Sequence, residues 1–149
     1  KYFKISADYQ ARQLVEINGH ELQQVLINLI RNAIHAMPEK NGLIRVATHD
    51  WPEKGVKITI ADNGSGIEDN QLDRIFNPFY TTKKHNEGTG LGLSLSYSLI
   101  HRYGGNISVW SKPGVGTTFT IWILLKPKMI EDEHELVKQL IEIEEAQSK

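Results

Sequence analysis

The spacing of apolar and polar residues predicts strands and a long helix in the first part of the chain. Residues 2–8 and 13–17 are short runs rich in aromatic, apolar and β-branched side chains, and each predicts a strand. A helix is predicted from Asn18, a residue type that caps helix N-termini, to Met37, because Pro38 cannot continue it.

The chain then continues to residue 125 with two predicted hairpins separated by helices and a loop. Residues 68–76 predict a short acidic helix, residues 77–90 a long loop, and residues 91–103 a helix that a glycine pair ends. The predicted hairpin strands are residues 43–49, 56–62, 106–111 and 117–125. We therefore expect an α/β fold, a two-layer sandwich with helices on one face of a mixed, largely antiparallel sheet.

The end of the chain differs in composition from the rest. We expect residues 1–126 to form one domain and residues 127–149 an acidic amphipathic helical extension. Leu136, Leu140 and Ile143 form an apolar stripe on this predicted helix. Packing of the stripe on its own domain, or on a neighbouring segment, is favoured over a dedicated regulatory helix.

Composition excludes several classes of function. The 149 residues include 17 basic and 18 acidic side chains, so no overall positive potential favours nucleic acid or an anionic membrane. The absence of cysteine excludes a disulfide framework and a thiolate metal site. No apolar run approaches the ~20 residues of a membrane span. Any anion-binding site must therefore be local.

Two amides interrupt the apolar pattern of the first long helix. Asn28 and Asn32 are four residues apart and so lie on one helix face. An amide buried beside apolar neighbours costs roughly 1–3 kcal/mol if it has no partner. Something must therefore bind the side-chain oxygens of this pair.

Three glycine-containing turns are candidates for binding chemistry: DNGSG (62–66), GTGLG (88–92) and GVGTT (114–118). The second turn leads directly into a predicted helix, where free backbone N–H groups and the helix dipole favour a phosphate. Gly88, Gly90 and Gly92 are therefore candidate phosphate contacts.

Asp62 ends a predicted apolar strand and begins the first of these turns. A carboxylate accepts hydrogen bonds and cannot donate them, so it suits an exocyclic amine such as that of adenine. Gly64 and Gly66 would then leave room for a flat ring. An Asx turn at the strand exit is the alternative interpretation.

The order of these motifs resembles the ATP-binding domain of histidine protein kinases, in the Bergerat-fold ATPase superfamily that also includes gyrase-type topoisomerases, heat-shock chaperones and mismatch-repair ATPases. The resemblance extends from about residue 18 to residue 125. The matching segments are similar to the family's N box, first glycine box, F box, second glycine box and last glycine box: NLIRNAIHAM (28–37), DNGSGI (62–67), FNPFYTTK (76–83), GTGLGLS (88–94) and GTTF (116–119).

The resemblance implies that the domain binds ATP and Mg²⁺. It implies that adenine meets Asp62 with help from Thr117, and that Asn32 offers its oxygen to Mg²⁺. The complete set of implied nucleotide-binding residues is Asp62, Gly64, Gly66, Gly88, Gly90, Leu91, Gly92 and Thr117.

The implied catalytic residues are Asn28, Asn32, His35 and Lys83. The ATP-hydrolysing members of the superfamily usually have a glutamate where Asn28 stands, and an amide cannot take a proton from water. Asn28 therefore argues for phosphoryl transfer to an imidazole instead of hydrolysis. His35 stands where related kinases often have lysine or arginine, and an exposed helix histidine is the alternative. Lys83 and Lys84 are either γ-phosphate contacts or solvated loop lysines.

The loop from Asn77 to Gly88 is predicted to be a lid over the phosphates, with Phe76 and Phe79 anchoring its hinge by packing on the core. The phosphoaccepting histidine is expected on a separate dimerisation domain. His20 and His134 each begin an HEL sequence, but neither is followed by the proline of the family's acceptor box. The chain is therefore interpreted as a catalytic fragment of a longer kinase.

The implied partners are the histidine-bearing dimerisation domain of the same kinase and the receiver domain of a response regulator. Neither nucleic acid nor direct membrane contact is expected, and the expected location is the cytoplasm, with membrane anchoring of the parent protein left open. The alternatives are a conformational ATPase of the gyrase, chaperone or mismatch-repair type and a catalytically inactive nucleotide-binding scaffold. Asn28 argues against the first, and the intact motifs argue against the second.

Overall fold

The computed structural model describes residues 2–77 and 92–127, and in the tail residues 137, 138, 141, 142 and 145. The chain forms these elements in order: β1 (Phe3–Tyr9), α1 (Gly19–Ala36), β2 (Gly42–Trp51), β3 (Gly55–Asp62), α2 (Asp69–Leu72), α3 (Gly92–Arg102), β4 (Asn106–Lys112) and β5 (Gly116–Leu124). The five strands form one sheet in the order β1-β2-β3-β5-β4. Strand β1 runs parallel to β2, and the other neighbouring strands are antiparallel. The predicted mixed, largely antiparallel sheet is confirmed.

The core lies between one face of the sheet and the helices α1 and α3. Helix α1 buries Val25, Leu29 and Ala33, which follow one another at four-residue spacing along one face. The other fully buried apolar side chains include Ile44, Ile60, Ile100, Ile107 and Ile121. Burial of large side chains at these positions supplies the main driving force for the two-layer sandwich that the sequence predicts.

Helix α1 begins where the sequence predicts. The Asn18 side-chain oxygen accepts hydrogen bonds from the backbone N–H groups of His20 (2.9 Å) and Glu21 (3.1 Å), which satisfies two donors of the first turn. The helix ends at Ala36, and Met37 has extended backbone geometry before Pro38. This cap and stop set the two ends of the helix that carries Asn28 and Asn32.

The prediction of a strand at residues 13–17 is wrong. These residues are not part of the five-stranded sheet. The segment's polar groups are satisfied in other ways: the backbone N–H groups of Arg12 and Gln13 both donate to the Asp50 carboxylate at 2.9 Å, and the Glu16 N–H donates to the carbonyl of Leu125 at 3.2 Å.

Helix α2 is shorter than predicted, ending at Leu72 instead of residue 76. Ile75 is buried in the core just after it, and the backbone continues in turns closed by bonds between residues three apart. The predicted loop lies outside the described residues except for Asn77. Among the described residues, no helix combines the length and the apolar character needed to cross a membrane.

The tail residues that the structure describes are helical, and Val137 and Ile141 are about half exposed, at 54% and 50%. These two residues are one helical turn apart, as the predicted amphipathic helix requires. The division of the chain at residue 126 stays a prediction.

Candidate nucleotide-binding site

Asp62 ends the central strand β3 on the face that carries the core. Ile58 and Ile60 are buried on that face, and strand alternation gives the next inward position to Asp62. In the sheet Asp62 pairs with Ile44 of β2 on one side and with Thr117 of β5 on the other. The fold therefore places a half-buried carboxyl group at the end of an apolar strand.

The surroundings of Asp62 act on its charge in opposite directions. Burial is the larger effect and raises the pKa of its carboxyl group above the usual value, while hydrogen bonds from the backbone N–H groups of Gly64 and Thr117 favour the charged form and partly offset this rise. The Gly64 N–H lies 2.8 Å from Oδ1 of Asp62, which is the Asx turn of the alternative interpretation. The Asx turn and a binding role are compatible, because the turn holds the carboxylate in one orientation.

Gly64 and Gly66 are required by the packing of the loop that follows Asp62. A Cβ at Gly64 would lie 2.5 Å from the carbonyl oxygen of Ala36, at the end of α1. Gly66 has φ of +75°, and a Cβ there would collide with the backbone of Lys112. The protein's own backbone thus occupies the space beside both glycines, and loop packing alone explains their identity.

Ser111 links this loop to Thr117, and sequence reasoning did not single it out. Its hydroxyl oxygen accepts from the Ile67 N–H at 2.8 Å and lies 3.0 Å from the carbonyl oxygen of Gly116 and 2.8 Å from Oγ1 of Thr117. Thr117 is only 4% exposed. Ser111 is four residues after buried Ile107 in β4, so the alternation of a strand places this polar side chain on the inward face. That pattern could have identified it from the sequence.

Asn28 joins α1 to the start of α3. Its side-chain N–H₂ group donates to the Gly92 carbonyl and to Oγ of Ser96, both at 3.2 Å, and its oxygen accepts from Gln24 at 3.1 Å. Ser96 also donates to the Gly92 carbonyl at 2.9 Å. The amide predicted to need a partner therefore finds protein partners, and these hold the first turn of α3 against α1.

The structure brings the predicted site residues into two groups connected by α1. Asp62, Gly64 and Thr117 lie at the end of the helix marked by Ala36, and Gly92 lies against Asn28. Eight residues of helix separate Ala36 from Asn28, or about 12 Å. This separation is comparable with the length of a nucleoside triphosphate.

The remaining predicted site residues are only partly described. Asn32 is half-buried on α1 and His35 is exposed in its last turn, and each makes an interaction. Lys83, Gly88, Gly90 and Leu91 lie outside the described residues. In the described part of the chain, no group of three or more His, Cys, Asp and Glu side chains could hold a metal ion.

An aromatic stack connects the residue before the predicted lid with α3. Phe76 stacks on Tyr97, with ring centroids 4.7 Å apart, and meets Phe119 edge-on at 6.4 Å. Tyr97 in turn packs edge-on against His101, with ring centroids 4.1 Å apart. The predicted packing of Phe76 on the core is confirmed, and Phe79 lies outside the described residues.

His101 is a buried histidine that sequence reasoning missed. It is 1% exposed, and burial lowers its pKa from 6.5 to about 4. Its Nε2 has no hydrogen-bond partner among the described residues. The ring is therefore neutral at physiological pH and acts as a core side chain of α3.

Comparison with known proteins decides the family. The family model described as "Histidine kinase-, DNA gyrase B-, and HSP90-like ATPase" matches residues 17–127. The chain belongs to this family. It is also 35% identical to the catalytic domain of histidine kinase ThkA in a nucleotide-free structure, with a TM-score of 0.72, covering 84% of this chain and 82% of that one. Within the family, it is therefore a histidine kinase catalytic domain.

The chain is also similar to a sensor kinase and a sporulation kinase. Sensor histidine kinase ZraS of Escherichia coli strain K12 is 44% identical over 109 residues, which are 73% of this chain and 23% of ZraS. Sporulation kinase A of Bacillus subtilis strain 168 is 43% identical over 109 residues, 72% of this chain and 17% of that kinase. The chain thus spans less than a quarter of the length of these two relatives.

Proposed function

We propose that this domain binds Mg-ATP and transfers the γ-phosphoryl group to a histidine on a separate dimerisation domain, in two-component signal transduction. The observation that carries the proposal is Asp62, a half-buried carboxylate oriented by two backbone N–H groups at the end of β3. Such a group accepts hydrogen bonds only, so it selects a base with an exocyclic amine. Among the common nucleotide bases, adenine has an exocyclic amine and no carbonyl group, so it fits a pocket that presents the Asp62 carboxylate.

The phosphates extend along α1 toward the start of α3 in this proposal. Gly92 is the first residue of α3 that the structure describes, and the positive end of a helix dipole favours an anion. Asn28 holds this turn in place through Gly92 and Ser96. Leu91 and the glycines before it would then line the phosphates, with Lys83 and His35 as candidate positive groups.

Asn28 also favours phosphoryl transfer over hydrolysis. Its N–H₂ group donates two hydrogen bonds to protein partners, and an amide has no basic site that could take a proton from water. A histidine acceptor brings its own nucleophilic nitrogen, so the domain needs only to position the γ-phosphoryl group and balance its charge.

Asn32 is proposed to hold Mg²⁺ together with phosphate oxygens. Amide oxygens are suitable ligands for this hard cation, which is usually bound through few protein groups plus phosphates and water. The lack of a carboxylate cluster in the described residues fits this arrangement, because the nucleotide then supplies most of the ligands. Bound Mg²⁺ would neutralise charge on the transferred phosphoryl group.

Replacing Asn32 with alanine is expected to reduce the Mg²⁺-dependent part of ATP affinity by about tenfold, because the metal loses one ligand. Titration of the domain with a fluorescent ATP analogue, with and without Mg²⁺, measures this part directly. Gln23→Ala is the matched control, since it removes an exposed amide from the same helix. An identical response to Mg²⁺ in Asn32→Ala and the unchanged chain would remove Asn32 from the metal site.

The partners follow from the proposed reaction. A histidine-bearing dimerisation domain of the same kinase would supply the acceptor, and a response regulator receiver domain would take the phosphoryl group onward. Relatives named sensor histidine kinases support both partners in general terms. The proposed location is the cytoplasm, where ATP is available, and residues 127–149 are proposed as a helical extension of the catalytic domain.

Phosphotransfer in two separate polypeptides tests this function. The domain is incubated with γ-labelled ATP and Mg²⁺, with and without the dimerisation segment of its kinase, and the products are treated with acid. We expect acid-labile label on the segment's histidine only, formed slowly because the separate chains lack the effective concentration of a covalent link. A segment with its acceptor histidine changed to glutamine is the control. Acid-labile label on His20 or His134 of the domain itself would contradict a separate acceptor.

The matching family model also covers gyrase-like and HSP90-like ATPases. The fate of the phosphate therefore checks the proposed transfer step. Rapid phosphate release without any histidine acceptor would favour the conformational ATPase and reject the kinase proposal.

A further inference from the structure

Ser111 stands at a hydrogen-bond junction that sets the orientation of the Thr117 hydroxyl. Three groups surround its oxygen: the Ile67 N–H at 2.8 Å, the Gly116 carbonyl at 3.0 Å and Oγ1 of Thr117 at 2.8 Å. The first can only donate and the second can only accept, whereas a hydroxyl can do either.

Only one arrangement of hydrogens satisfies all three contacts. Ser111 has one hydroxyl hydrogen, and it donates this hydrogen to the Gly116 carbonyl. Thr117 must therefore donate its own hydrogen to the Ser111 oxygen. In this arrangement Oγ1 of Thr117 has only lone pairs to offer any other group.

We infer that Ser111 is a positioning residue that makes the base pocket selective for an amino group over a carbonyl. It acts through Thr117, which becomes an obligatory acceptor beside the Asp62 carboxylate; these two residues are sheet partners. Two acceptors side by side favour the amine of adenine and disfavour the carbonyl of hypoxanthine or guanine at the same position. This inference rests on the proposed function, because it requires the base to lie against Asp62 and Thr117.

The test compares ADP with inosine diphosphate (IDP). Where adenine has the exocyclic amine that would face Asp62, hypoxanthine has a carbonyl. Dissociation constants are measured by calorimetry for the unchanged domain and for Ser111→Ala. In the variant, the Thr117 hydrogen loses its acceptor and can turn toward a carbonyl on the base. We expect the preference for ADP over IDP to fall by about threefold to tenfold, the effect of one hydrogen bond.

Four further variants identify the cause. Ser108→Ala removes a hydroxyl from the same strand, one that accepts only a long 3.4 Å contact from Trp122, and it should leave the preference unchanged. Ser111→Thr retains the hydroxyl and should restore the preference. Thr117→Val should itself lower the preference, and adding Ser111→Ala to it should cause no further fall.

The outcomes separate this inference from the proposed function. Equal weakening of ADP and IDP in Ser111→Ala would show that Ser111 only supports the loop, and it would overturn the inference while leaving nucleotide binding intact. A further fall in preference when Ser111→Ala is added to Thr117→Val would show that Ser111 does not act through Thr117. An unchanged domain that bound neither nucleotide would reject the proposed function and the inference with it.

Discussion

Replacing Asp62 with asparagine is expected to weaken ADP binding by about tenfold to a hundredfold, the cost of losing a hydrogen bond to a charged acceptor, roughly 1.5–3 kcal/mol. The amide oxygen of asparagine can still accept from the Gly64 N–H, so the turn after β3 is retained. What the variant loses is the negative charge, and its N–H₂ group can oppose the amine of the base. Calorimetric titration with ADP measures the change.

Asp69→Asn is the matched control for this prediction. It makes the same chemical change at an exposed position in the first turn of α2, and it should leave ADP affinity unchanged. Competition by GDP supplies an independent check, because guanine presents a carbonyl where adenine presents an amine. If GDP displaced ATP from the unchanged domain as well as ADP does, Asp62 would not be the base-reading residue.

Local chemistry explains why much of the fold could be predicted from the sequence. Asn18 and Pro38 mark the limits of α1 because a cap needs a side-chain acceptor and proline lacks an N–H. Gly104 has φ of +79°, and α3 ends with hydrogen bonds from the Gly104 N–H to the His101 carbonyl and from the Gly105 N–H to the Ile100 carbonyl. Signals of this kind depend on neighbouring residues only, so they can be read without knowing the tertiary structure.

The errors and omissions concern contacts between distant parts of the chain. Residues 13–17 have the composition of a strand, but the Gln13 N–H donates to the Asp50 carboxylate and the Glu16 N–H to the Leu125 carbonyl. The polar contacts of Asn28 depend on Gly92 and Ser96, which are 64 and 68 residues away along the chain. Ser111 becomes informative only once β4 and β5 are paired and the loop after Asp62 packs against them. Sequence motifs therefore supply the candidate site residues, whereas the hydrogen bonds that orient their side chains required the structure.

Burial of His101 in α3 is expected to make the free energy of unfolding depend strongly on pH. Burial disfavours the charged form of His101 and lowers its pKa to about 4 in the folded domain. In the unfolded chain the pKa returns to its ordinary value of 6.5. Between these two values the unfolded state binds more protons, so stability falls as the pH is lowered through this window. The full contribution of His101 is present above pH 6.5, and about 3 kcal/mol is lost by the time the pH reaches about 4.

His101→Phe isolates this contribution from that of every other titrating group. Phenylalanine can keep the edge contact with Tyr97, and it removes both the titrating ring and Nε2, which has no hydrogen-bond partner in the part of the chain that the structure describes. The free energy of unfolding is measured by urea denaturation from about pH 7 down to about pH 4, and we expect the acid-dependent loss to be smaller in the variant by about 3 kcal/mol. His20→Gln, which changes an exposed histidine at the start of α1, should retain the loss. Identical pH profiles for His101→Phe and the unchanged domain would mean that the folded core accommodates a protonated His101. The stacked rings of Tyr97 and Phe76 would then pack against a charged ring, and the conclusion that His101 is neutral in the core would be wrong.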